Sequence, residues 1–83
     1  MSLGISELRI PLAFLPEGTE AVVIEIVGGR CFVRRLYELG FTPGVKVKVV
    51  SSGFRGPVLV EVRGARIALG RGAAMKVIVE RKL

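Results

Sequence analysis

A chain of 83 residues, 51% apolar and 24% charged, has room for one small core, which excludes a multidomain enzyme and a disordered tail alike. Thirteen Lys and Arg against seven acids leave a formal charge of +6, which biases the chain towards negative surfaces: nucleic acid, an acidic protein face or an anionic membrane. All seven acids are Glu, and the absence of His, Asp, Asn, Gln and Trp removes most of the side chains from which catalytic sites are built.

The first elements are irregular. Met1 to Gly4 read as a loose end, and residues 1–10 as a whole as a loosely ordered extension of a single domain spanning 1–83. Pro11 and Pro16 bracket the apolar stretch Leu12-Ala13-Phe14-Leu15 and argue against a regular helix there, because each ring removes a backbone donor. The segment is expected to lie pinned on the core. Glu17-Gly18 is a turn signal, and Glu20 to Val27 is the first clear strand, with Val22, Ile24 and Ile26 alternating with Ala21, Val23 and Glu25 so that one face is buried.

Gly28-Gly29 ends that strand, and the period then changes. Over Arg30 to Leu39 the apolar residues Phe32, Leu36 and Leu39 recur at helical spacing, with Arg30, Arg34 and Glu38 opposite and Tyr37 at the edge. Gly40 is the expected C-terminal cap, Pro43 blocks a restart, and Phe41 between them can fold back on the last turn. Val45 to Val50 reads as a second strand, with Val45, Val47 and Val49 inward and Lys46 and Lys48 outward. Ser51 to Pro57 carries loop chemistry. Val58 to Arg63 and Arg66 to Leu69 form a hairpin reversing at Gly64-Ala65, Gly70 to Met75 is a short helical turn, and Val77 and Val79 close the sheet. The sum is all-β: a small barrel of about five strands with one short inserted α-helix, closed so as to remove its own edges.

Residue types decide the chemistry. Ser6, Ser51, Ser52 and Cys31 have no His to activate them, and the Glu residues are scattered over expected solvent faces, so no catalytic residue is assigned. A closed zinc or iron site draws on Cys and His clusters, and one Cys stands alone, so neither a metal ligand nor a cofactor-binding residue is assigned. None of the eleven glycines falls in a phosphate-binding motif. Cys31 is read as a small packed hydrophobe and, having no internal disulfide partner, it fits a reducing cytosol. The longest apolar stretches, Ile10 to Leu15 and Ala21 to Ile24, fall far short of the roughly 18 to 20 residues needed to span a bilayer.

Two surfaces remain as candidates for contact with a partner. Arg30, Arg34, Arg35, Tyr37 and Glu38 share the outer side of the expected helix, and Arg and Tyr are enriched at interface hot spots. Read as solvated charge, the same face carries only an Arg34 to Glu38 pair worth a few tenths of a kcal/mol. The loop Ser51 to Pro57 displays Phe54 and Arg55 between glycines, either folded over the barrel mouth or presented to a partner.

The order Pro11-Leu12, Leu15-Pro16-Glu17-Gly18, Gly28-Gly29, then the run from Arg35 to Gly44 (Arg-Leu-Tyr-Glu-Leu-Gly-Phe-Thr-Pro-Gly), then Gly56-Pro57-Val58 and Ile67-Ala68-Leu69, resembles the FeoA family, the small cytosolic component of ferrous iron uptake. The match covers nearly the whole chain, and the Arg35 to Gly44 run is its most specific part. Gly70 departs from it, standing where a basic residue is common. The resemblance implies an SH3-like barrel and a non-enzymatic, cytoplasmic role, recruited to the membrane through a partner, the FeoB-type ferrous iron permease. Neither membrane insertion nor nucleic acid binding is expected, and the oligomeric state is left open. Two alternatives stand beside it: a nucleic-acid-binding SH3-like barrel, against which the aromatics do not interleave with cations on one strand face, and a stand-alone relative of the C-terminal domain of iron-dependent repressors. A peptide-binding SH3 module needs a groove rich in Tyr and Trp, and the chain has one Tyr.

Overall fold

The computed structural model describes residues 7–53 and 56–82. The chain runs through β1 (Glu7–Pro11), a 3-10 turn (Leu12–Phe14), β2 (Glu20–Ile26), α1 (Arg30–Glu38), β3 (Lys46–Ser52), β4 (Val58–Val62), β5 (Ala65–Leu69), α2 (Arg71–Ala74) and β6 (Val77–Lys82). All neighbouring strands pair antiparallel in one sheet of order β1-β6-β2-β3-β4-β5. The valine-rich strands follow the expected period of two: Val47 and Val49, Val58, Val60 and Val62, and Val77 and Val79 are buried, while Lys46 and Lys48 face solvent. Each fully buried aliphatic side chain contributes on the order of 1.5–3 kcal/mol of transfer free energy.

Several features differ from the reading of the sequence. β1 is a sixth strand, pairing with β6 from Glu7↔Lys82 to Pro11↔Ile78, so the described part of the expected N-terminal extension is ordered ladder. Its sequence, ELRIP, alternates Glu7 and Arg9 with Leu8 and Ile10, but the run is short and ends in proline, and the pairing with β6 makes it a strand. In β2 the buried residues are Ala21 and Val23, whereas Val22, Ile24 and Ile26 are half-buried. Both buried residues precede a bulge between Val23 and Glu25, which adds a residue and leaves Ile26, not Glu25, packed against the core, an event that period counting cannot register. A second bulge, between Val49 and Ser51, carries β3 on through Ser51 and Ser52, which the sequence assigns to a loop. Finally, the hairpin reverses one residue earlier than expected. Arg63 (φ 52°) and Gly64 (φ 82°) are both left-handed, as a two-residue turn joining twisted strands requires.

Among the described residues the ladder is open: β1 and β5 each pair on one side only, so two edges survive where closure was expected. The bulges nevertheless curl the sheet around one core, to which β2 through β6, the 3-10 turn, α1 and α2 all contribute. Leu12, Ala13 and Leu15 are buried, as the pinned segment predicts, but Phe14 between them is 61% exposed. Among the described residues no helix is long and apolar enough to cross a membrane.

Candidate docking face

The site is built on α1, and α1 is held from behind. Gly28 lets the Phe32 ring lie against its backbone, where an added Cβ would stand 2.7 Å from Cδ2. Leu36 is buried in the core, and Phe32 packs against it half-buried, with the Lys76 ammonium 5.4 Å from its ring centroid. At the far end the Gly40 amide donates to the Tyr37 carbonyl at 2.9 Å and the Phe41 amide to the Leu36 carbonyl at 3.0 Å, with Gly40 at φ 107°. That is a Schellman closure, and it drives Phe41 into the core at 0% exposure. Leu39, the expected third member of the buried stripe, is instead 42% exposed, because the helix has ended and Phe41 occupies the space beneath it.

The outer side of α1 then presents its charges. Arg30, Arg34, Arg35 and Glu38 are exposed, and Tyr37 is exposed at the edge of the stripe. Arg34 and Glu38 stand one turn apart, and among the described residues no ion pair joins them, so both are presented to solvent. Two of the charges oppose the helix dipole, Arg30 in a first turn that holds no acid and Glu38 at the negative end, while Arg35 in the last turn complements it, and Gly29 supplies no side-chain cap. Cys31 lies on this same exposed side, which corrects the expectation that it is packed in the core. Neighbouring Phe32 takes the inward position, and the 100° step between residues leaves Cys31 outside.

Of the predicted contact residues, the five on α1 therefore share one element, while Phe54 and Arg55 lie outside the described residues. The structure adds apolar residues around the basic face that periodicity did not single out. Val27, 48% exposed and bonded through its amide to the Lys76 carbonyl, and Met75, 41% exposed, lie towards the start of α1; Leu39 lies at its end. Val27 reads as the last residue of a strand and Met75 as the end of a helical turn, so no spacing signal sets them apart. Arg71 was also missed. Its guanidinium donates to the carbonyls of Ala13 (3.5 Å), Gly53 and Gly56 (3.3 Å), tying α2 to the 3-10 turn and to both described flanks of the β3–β4 loop. A single Arg after Gly70 gives no hint of three carbonyl acceptors drawn from distant segments.

The description of the FeoA domain family matches residues 10–81. A candidate Fe(2+) transport protein A of Methanocaldococcus jannaschii is 44% identical over 70 residues, which are 84% of each chain. This chain belongs to the FeoA family. Among solved structures, an iron uptake regulatory FeoA protein superposes with a TM-score of 0.84 at 37% identity, covering 92% of this chain and all of that one. FeoA of Stenotrophomonas maltophilia, a zinc complex described as a prokaryotic SH3-domain protein and candidate activator of ferrous iron transport, gives 0.73 at 35% identity, covering 86% and 94%. The SH3-like fold and membership of the ferrous iron transport family thus rest on both sequence and shape, and the expected fold class holds with one strand more than the five counted.

Proposed function

We propose that this FeoA-family protein is a non-enzymatic accessory of ferrous iron uptake. It acts at the cytosolic face of the membrane by docking the outer side of α1 on a FeoB-type permease and binding one permease state more tightly than another. A ligand shifts an equilibrium only by its differential affinity for the two states, so docking of this kind modulates activity or assembly without any chemistry in the accessory itself. The observation that carries the reading is the pairing of a rigidly backed helix with a solvent face of Arg30, Arg34, Arg35, Tyr37 and Glu38. Leu36 and Phe41 fix the backbone from inside, so little ordering cost remains on the protein's side of the contact. Exposed Arg and Tyr supply the bidentate and aromatic contacts that dominate interfaces, and the flanking apolar residues Val27 and Leu39 supply area that excludes water.

Co-purification with the permease from the native host tests the assignment. Arg34→Glu and Tyr37→Ala, both exposed, are expected to leave folding intact and to lower recovery about tenfold, the loss of one hot-spot contact. Unchanged recovery with both substitutions present removes α1 from the proposal.

A further inference from the structure

The second surface is the free edge of the sheet. Among the described residues β5 pairs only with β4, in the register Ala65↔Val62, Arg66↔Glu61, Ile67↔Val60, Ala68↔Leu59 and Leu69↔Val58. A two-residue hairpin is closed by a pair that exchanges both backbone hydrogen bonds, here Val62 and Ala65. The antiparallel alternation then makes Ile67↔Val60 and Leu69↔Val58 hydrogen-bonded pairs as well. The amides and carbonyls of Arg66 and Ala68 therefore point away from β4. Among the described residues, none of Ala65 to Leu69 makes a backbone hydrogen bond outside this ladder.

Edges of this kind are normally blunted by proline, lysine or a bulge. β1, the other edge, ends in Pro11 and runs straight into the 3-10 turn. β5 has no proline and no bulge, and its exposed Ala65 and Ala68 present almost no side chain to obstruct a neighbour. Its one charge continues a pattern. Glu20↔Lys48, Lys48↔Glu61 and Glu61↔Arg66 are direct cross-strand partners, so acid and base alternate across β2, β3, β4 and β5 and stop at a cation. The next strand in that series would set an acid against Arg66.

We infer that β5 accepts an extended segment of a partner as a seventh strand, bonded to Arg66 and Ala68 through the backbone, with an acidic residue beside Arg66 and an apolar one beside half-buried Ile67. The formal charge of +6 favours an acidic occupant over a second copy of the chain. Strand addition draws affinity from main-chain bonds and specificity from alternate side chains, and both elements are present on this edge.

Amide-resolved NMR with two capped peptides, one alternating valine with glutamate and one valine with lysine, tests the inference. The glutamate peptide is expected to shift the amides of Arg66 and Ala68 and slow their hydrogen exchange, and the lysine peptide to do neither. Arg66→Glu should reverse the preference, by roughly tenfold in affinity. Ala68→Pro removes an outward amide and no ladder bond, so it should keep the fold and abolish binding. Shifts centred on α1, or none at millimolar peptide, overturn the inference. So does a doubled mass with Arg66 and Ala68 already protected in the protein alone, since a second copy would then hold the edge. Arg34→Glu should leave peptide binding unchanged, so the edge and the α1 face stand or fall separately.

Discussion

Phe41 shows how much a single side chain carries here. It follows a left-handed Gly40 and lies at 0% exposure, where it backs α1 and closes one end of the core. Replacing a buried Phe with Ala costs about 3–5 kcal/mol, and a domain of this size has a total stability of roughly 4–12 kcal/mol. Phe41→Ala is therefore expected to lower the urea midpoint severely and to leave a substantial unfolded fraction in buffer, measured by circular dichroism. Leu39→Ala, two residues earlier, removes a 42% exposed side chain and is expected to cost under about 1 kcal/mol. Reading the stripe as Phe32, Leu36 and Leu39 makes Leu39 a buried side chain too, and the urea measurement separates the two accounts.

At the scale of the element, α1 and α2 make opposite uses of arginine. Arg30 opens α1 against the helix dipole, so Arg30→Glu should stabilise the protein by roughly 0.3–1 kcal/mol in urea denaturation while weakening capture by the permease. A substitution that improves folding and impairs binding is the signature of a residue retained for contact. Loss of both together would assign Arg30 to the fold. Arg71 in α2 is structural: it holds three carbonyls from the 3-10 turn and the β3–β4 loop, and its buried Nε has no partner among the described residues. Arg71→Met leaves those carbonyls without their charged donor and should cost about 1–3 kcal/mol. Cleavage by a protease between Ser52 and Val58 should accelerate with it; an unchanged rate would remove Arg71 as a tie on Gly53 and Gly56.

The whole molecule combines a +6 charge with a sheet open at two edges and one basic helix face. Docking driven by those cations should weaken steadily as salt rises through the range in which the Debye length falls from about 10 Å at 0.1 M to about 3 Å at 1 M. Binding that is insensitive to salt would transfer the energetics to the apolar flanks at Val27 and Leu39. The same titration with mixed-sequence oligonucleotides tests the rival reading. No retention is expected at about 0.15 M salt, and steep, sequence-tolerant binding there would favour a nucleic-acid barrel.

Local physics made much of this protein legible from its residues alone. Period two placed the valines of β3, β4 and β6, period 3.6 placed α1, and Gly40 before Phe41-Thr42-Pro43 placed its end. The run from Arg35 to Gly44 pointed to the family. Tertiary structure decided what depends on pairing between distant segments. Glu7 to Pro11 became a strand because β6 offers it an edge, and bulges at Ile24 and Val50 shifted the pairing register of the residues that follow them. Phe41 rather than Leu39 entered the core, Cys31 stayed outside, and Arg71 found three carbonyls contributed from up to 58 residues away. Periodicity reports only which residues share a face. Which face is covered, and which edge is left free, depends on partners that are remote in the chain.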